Sequence, residues 1–306
     1  MPTTNRIIDI TDGPVFLRYE NKLLVVERKS EDNDKEDVTI PVDDVGVLIL
    51  SSPHVTMTQP AIAELSKAGV CVVFTDRNAM PASMCLPFGA HHQPATRFRQ
   101  QADASKPVMK RLWQEIVRSK LEHQAAVLKC LHGTDYGLGE FPARVFSGDP
   151  DNVEAQGAKL YWSKLFGDVA FSRDRDAPGI NALLNYGYTV LRAMAARAIC
   201  SAGLHPGLGI HHHHRDNSFC LADDLMEPFR TYVDYAAYHW TGGAKRSMDV
   251  LSKEDKANIV RQLLTPIKID GNREPLFYII QRLAGSLVNV FGWEEEGLRL
   301  PSPCFQ

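Results

Sequence analysis

The chain has 306 residues, 44% of them hydrophobic and 23% charged, with 34 basic side chains against 37 acidic and a net charge of −3. That composition describes a globular chain with a sizeable core, about two domains at roughly 150 residues each. No apolar run reaches the roughly 18 residues of a membrane span, because Arg192 interrupts 183–199 and Gln281 with Arg282 interrupts 276–290, so a membrane-spanning protein is excluded.

Short segments rich in β-branched and large apolar residues predict strands at 6–10, 15–19, 22–28, 37–42, 46–50 and 70–75. Turn signals separate them: Asp12-Gly13-Pro14, Glu20-Asn21, the acidic run 31–37 and Ser51-Ser52-Pro53. Thr58 as N-cap and Gly69 as a stop frame one helix at 59–68. Residues 1–78 therefore read as a small β-sandwich domain. Residues 79–98 read as a linker, punctuated by Met80-Pro81, Leu86-Pro87, Gly89 and Gln93-Pro94.

From 99 to 306 the period becomes helical. Val108, Leu112, Ile116, Ala125 and Leu128 share one face of a long helix whose other face is basic. Further helices are predicted at 152–166, 180–201, 221–238, 253–264 and 274–292, with 219–222 as the one strand-like stretch after residue 100. The expected fold class is α+β: a small N-terminal β-sandwich domain followed by a larger all-α domain.

Charge is unevenly placed. Residues 1–95 carry 8 basic and 13 acidic side chains, whereas 97–129 carry 8 and 3. The six cysteines form no C-x-x-C pair and read as reduced thiols, and residues 1–9 show no signal-peptide pattern, so a cytoplasmic location is expected. Phosphate-binding glycine loops, G-x-S-x-G and H-E-x-x-H are all absent from the sequence.

The conspicuous feature is His211 to His214, followed by Asp223, Asp224 and Glu227. On an extended segment alternate histidines face opposite ways, so at most two of the four address one site; the run also reads as a polar surface loop. Asp224 and Glu227 are three apart and share a helix face. One histidine with two or three carboxylates suits Mg²⁺ or Mn²⁺ better than a structural zinc site, and such a site suits phosphate chemistry. A further acid is available in Glu154, whose neighbours Ala155, Gly157 and Ala158 would let another helix or a substrate approach closely. Glu154 also reads as an ordinary first-turn acid, with Asp149 or Asn152 as the cap.

Four stretches together resemble the CRISPR-associated integrase family, the catalytic subunit of the spacer-acquisition complex. They are Asn152-Val153-Glu154-Ala155-Gln156-Gly157-Ala158-Lys159-Leu160-Tyr161-Trp162, Ile180-Asn181-Ala182-Leu183-Leu184-Asn185-Tyr186-Gly187-Tyr188, Gly203-Leu204-His205-Pro206-Gly207-Leu208-Gly209-Ile210-His211-His212, and Leu221-Ala222-Asp223-Asp224-Leu225-Met226-Glu227-Pro228-Phe229-Arg230. The His-His pair and the Glu-Pro-Phe-Arg ending most resemble members of type II systems. The resemblance implies that Glu154, His212 and Glu227 hold a divalent cation, Mg²⁺ or Mn²⁺, with His211 the alternative histidine and Asp224 orienting a ligand. It also implies a β-sandwich that mediates homodimerisation and a helical catalytic domain.

The implied activity is that of a metal-dependent DNA endonuclease and integrase: the 3′-hydroxyl of a short double-stranded fragment attacks a phosphodiester at the end of a CRISPR repeat. Implied partners are DNA fragments and repeat DNA, a small second adaptation protein bridging two dimers, and a contribution from the type II effector. Arg97, Arg99, Lys106, Lys110, Arg111, Arg118 and Lys120, with Arg173 and Arg175, are the candidate phosphate contacts, a solvated helix face being the alternative. Tyr161, Trp162, Tyr186 and Tyr188 could stack on a displaced base or lie in the core. Two other functions fit these residues: a repair or RNA-processing nuclease with the same triad, and a non-catalytic nucleic-acid-binding scaffold.

Overall fold

A computed structural model describes residues 5–28, 36–75, 81–89, 91–167, 171–174, 177–246, 248, 250–269, 272–292 and 297–305. The acidic run at 31–35 and Arg175 lie outside the described residues. The N-terminal part contains β1 (Arg6–Ile10), β2 (Val15–Glu20), β3 (Leu23–Arg28), β4 (Glu36–Pro41), β5 (Val45–Leu50), β6 (Val55–Met57), α1 (Gln59–Lys67), β7 (Cys71–Thr75) and β8 (Pro81–Cys85). They form two four-stranded sheets, ordered β1-β5-β7-β8 and β4-β3-β2-β6.

The first sheet is the wall between two cores. In β5 every residue is buried, as a parallel strand covered on both faces requires. From Val47 on its side chains alternate: Leu48 and Leu50 join the core shared with the second sheet, as does Val45 before the irregularity in the β1 pairing, while Val47 and Ile49 join the core of the helical part. Two polar ties pin the helices to that wall: the Tyr186 hydroxyl donates to Asp9 Oδ2 at 2.8 Å, and Arg197 Nε donates to the carbonyl of Gly69 at 2.6 Å.

The helical part comprises α2 (Pro94–Ala102), α3 (Lys106–His132), α4 (Val153–Leu165), α5 (Ile180–Ser201), α6 (Cys220–Met226), α7 (Arg230–Thr241), α8 (Lys253–Leu264) and α9 (Leu276–Phe291). Helix α3 follows Pro107 in its first turn and stops at Gly133, whose φ of 75° is the left-handed cap that glycine favours. Helix α9 packs so closely on the sheet that a Cβ on Gly46 would lie 2.9 Å from Phe277 Cζ.

Several expectations are corrected. The second part is not all-α: β9 (Ile267–Ile269) and β10 (Asn272–Glu274) pair antiparallel, and Glu274 belongs to that hairpin rather than to α9. Residues 219–222 are not strand-like but open α6. The helix expected over 221–238 breaks at Pro228, which lacks an amide donor, so a single 3-10 turn Glu227–Phe229 separates α6 from α7. The stretch 79–98 holds β8 and the start of α2. All six cysteines are free thiols, and no described helix is long and apolar enough to cross a membrane.

Replacing Tyr186 by Phe removes the hydroxyl that ties α5 to β1. Denaturant unfolding should show a loss of about 1–2 kcal/mol at an unchanged slope; an unchanged midpoint would mean this tie contributes nothing.

Candidate active site

Helix α3 forms the floor of the site. Its apolar stripe is interrupted by four buried polar residues, Ser119, Lys120, His123 and Gln124. Lys120 follows Ile116 by four residues, so it occupies the buried face rather than the basic outer one.

Helix α4 brings Glu154 to this floor. Asp149 caps the helix, accepting from Val153 N at 2.9 Å and Glu154 N at 3.0 Å, while Asn152 adopts the left-handed conformation with φ 51°. Gly157 then lets the two helices meet closely: a Cβ there would stand 2.2 Å from Leu121 Cδ2. The small neighbours of Glu154 therefore admit another helix, and that helix is α3.

The turn after α6 brings Glu227. Lys120 Nζ makes an ion pair with Glu154 Oε1 and a second, at 2.6 Å, with Glu227 Oε2. Arg230 Nε donates to Glu227 Oε1 at 2.8 Å. Burial by itself would push the Glu227 carboxyl up, but Arg230 and Lys120 outweigh it and hold the group down at about 2. Apart from the Lys120 ammonium, the buried Glu227 Oε2 has no hydrogen-bond partner among the described residues.

Asp224 is fully buried and faces the other way. Its carboxylate accepts from the backbone of Ile210 (2.6 Å), His211 (3.0 Å) and His212 (3.2 Å), and lies 2.6 Å from His212 Nδ1. A carboxylate accepts, so Nδ1 carries the proton and Nε2 is the ring nitrogen turned from Asp224. This hydrogen bond is the main reason the imidazole is raised above its ordinary value. The loop can approach only because residue 209 is glycine: a Cβ there would sit 2.2 Å from the His212 carbonyl. Trp113 of α3 stacks flat on His211 at 4.1 Å between ring centres, so the two histidines have different surroundings.

Behind Glu227 lies a small cavity of about 160 Å³ lined by Lys120, Trp162, Arg173, Tyr188, Arg230 and Asp234. Tyr161 donates to Asp234 Oδ2 at 3.0 Å and Tyr188 donates to Oδ1. Tyr161, Tyr186 and Tyr188 are buried, so they are core residues here. Burial, opposed by those two hydroxyls, pushes the Asp234 carboxyl up to about 6.

The basic candidates divide. Arg99, Lys106, Lys110 and Arg111 are exposed along α2 and α3. Arg97 donates to the Ala202 carbonyl, Arg118 to the Val145 carbonyl at 2.9 Å, and Arg173 to Asn181 and Asn185 at 2.8 and 2.6 Å. Lys120 is a correction: its ammonium lies between two glutamates and is not placed for a phosphate. The site therefore brings Glu154 and Glu227 to one ammonium and His212 onto Asp224. Among the described residues no three His, Cys, Asp or Glu side chains stand together closely enough to share a metal ion.

The family model described as "CRISPR associated protein Cas1" matches residues 9–141 and 151–256. A CRISPR-associated endonuclease Cas1 from Neisseria meningitidis serogroup C (strain 8013) is 31% identical over 289 residues, covering 93% of this chain and 92% of the relative. The chain belongs to the Cas1 family. Its fold is also that of a casposase bound to integration product, with a TM-score of 0.83 at 21% identity over 98% of this chain and 94% of that one. A Cas6-RT-Cas1–Cas2 complex gives a TM-score of 0.74 at 20% identity, covering 98% of this chain and 36% of that one. The matched residues include Glu154, His211, His212, Asp224 and Glu227.

Because Asp234 takes up its proton more readily folded than unfolded, its contribution to stability is present below about pH 4 and is lost as pH rises through about 6. Asp234→Asn should flatten this part of the stability–pH curve. Chemical unfolding of both proteins at intervals from pH 4 to 7 checks it, and parallel curves would contradict it.

Proposed function

We propose that this chain is a divalent-metal-dependent DNA endonuclease and integrase that inserts short DNA fragments into a CRISPR array. The observation that carries this reading is the meeting of Glu154 and Glu227, from distant segments, on one ammonium, together with a histidine whose Nδ1 is taken up by Asp224. Family membership supplies the chemistry to which such residues belong.

The donor set fits a hard divalent cation: two carboxylates and an imidazole, with Glu227 Oε2 buried and partnered among the described residues by the Lys120 ammonium alone. Glu154, Glu227 and His212 through Nε2 would hold it. A bound Mg²⁺ or Mn²⁺ would supply Lewis acidity at the phosphate and lower the pKa of the attacking hydroxyl. Asp224 fixes the tautomer and direction of His212. Arg230 holds Glu227 in its anionic form.

In the reaction we assign, the 3′-oxygen of a fragment forms a bond to a repeat-end phosphorus while a backbone P–O bond breaks. One phosphodiester replaces another, so no nucleotide cofactor is consumed. Water in place of the 3′-hydroxyl gives cleavage. Arg99, Lys106, Lys110 and Arg111 are the phosphate contacts that fit this reading best, because their side chains are exposed on the α2–α3 edge.

We assign the two N-terminal sheets, as a sandwich, to pairing with a second copy, and a small Cas2-type partner to bridging two such pairs. The solved complex containing Cas1 and Cas2 and the casposase with its integration product support partner and substrate class respectively. A contribution from the type II effector and action in the cytoplasm complete the proposal.

The test is a joining assay with labelled fragments carrying free 3′-hydroxyls, supercoiled repeat DNA, Mg²⁺ or Mn²⁺ and the bridging partner. Joined product should form with wild type and fall at least about a hundredfold in Glu154→Ala and in Glu227→Ala. Cutting that persists without joining would favour the repair nuclease. Activity unchanged in both variants would end the metal-site reading.

A further inference from the structure

Two carboxylates held at close quarters, one of them buried, repel unless a counter-charge stands between them. In this protein the chain supplies one itself. Lys120 is only 8% exposed, and its ammonium reaches Glu154 Oε1 and Glu227 Oε2 together. Among the described residues Glu154 forms an ion pair with no other basic side chain, whereas Glu227 also has Arg230.

Resting on the metal-site reading above, we infer that Lys120 is a built-in competitor for the divalent cation: its ammonium stands in for the metal between Glu154 and Glu227 and must leave them for the metal to bind. Three features of the structure lead to this. The lysine comes from the buried face of α3, a position that the amphipathic pattern assigns to an apolar residue. Its Nζ lies 2.6 Å from Glu227 Oε2, and that buried oxygen has no other hydrogen-bond partner among the described residues, so the ammonium is the one counter-charge on it. Finally, the close contact of Gly157 with Leu121, the residue next to Lys120, fixes the distance between α3 and α4, so the ammonium and Glu154 are held face to face.

The exchange alters only which cation neutralises the two carboxylates. The metal-free protein keeps them at close quarters and folded, and the metal must displace one like charge before it binds. Lys120 thus acts through Glu154 and Glu227 as a positioning residue and sets the threshold of metal concentration at which the site is loaded.

The experiment measures Mn²⁺ binding by calorimetry to the full-length wild type, Lys120→Met and Glu154→Gln. The Kd of Lys120→Met should fall by about tenfold or more, because both a competing contact and a like charge are removed. A lysine with a merely structural role gives no such gain in affinity. If Mn²⁺ binds wild type, is weakened by Glu154→Gln, and binds Lys120→Met no more tightly, the inference is overturned while the metal site stands. If Mn²⁺ binds neither wild type nor Lys120→Met, the metal-site reading fails and takes the inference with it. Should Lys120→Met not fold, wild type with ¹³Cε-labelled lysine decides, its Lys120 resonance assigned through Lys120→Arg. A saturable shift on adding Mg²⁺ supports displacement, and an unmoved resonance under Mg²⁺ that calorimetry shows to be bound overturns it.

Discussion

Like charges repel, and this site places the half-buried Glu154 and the buried Glu227 on one buried ammonium. The rest of the helical part can be understood as the means of holding that arrangement. Helix α3 must present a lysine on its buried face, α4 must come close enough to α3 for Glu154 to reach it, and the chain must turn after α6 so that Glu227 points at the same spot. Gly157 satisfies the second condition, since any larger residue would meet Leu121. Pro228 satisfies the third by ending α6 and forcing a 3-10 turn that starts at Glu227.

Residues of one chemical type do different jobs here because their surroundings differ. Asp224 and Glu227 are one turn apart, yet Asp224 spends its carboxylate on three backbone amides and an imidazole, whereas Glu227 faces Lys120 and Arg230. The first organises a loop; the second remains available to a cation. The paired histidines divide in the same way, His211 lying flat on Trp113 and His212 hydrogen-bonded to Asp224. A carboxylate behind an imidazole fixes which ring nitrogen faces outward.

Much of this was legible in the sequence. The strands expected at 6–10, 15–19 and 70–75 are found at Arg6–Ile10, Val15–Glu20 and Cys71–Thr75, and the helices at 180–201 and 253–264 lie where their period-3.6 patterns put them. The strands β6, β9 and β10 are three residues long, too short for alternation to register, and β8 sits in a Pro-rich stretch whose turn signals mask it. Glu154, His212, Asp224 and Glu227 were readable through the family's motifs. Lys120 was not, because it lies within a basic block whose other members are exposed or bonded elsewhere. The signal that separates it is its place four residues after Ile116, on the apolar stripe. The hydroxyls of Tyr161 and Tyr188 on Asp234 are likewise tertiary contacts between distant segments, which spacing along one helix cannot show.

The central claim is that Glu154, Glu227 and His212 form one cation site, with Asp224 behind it. Anomalous diffraction from crystals of the full-length protein grown with Mn²⁺ tests it most directly. The account predicts one peak bonded to Glu154, Glu227 and His212 Nε2 at about 2.0–2.2 Å, with Asp224 still on His212 Nδ1 and the Lys120 ammonium moved away. A peak bonded to Asp224 or to His211, or an ammonium still seated between the two glutamates with the ion elsewhere, would contradict it.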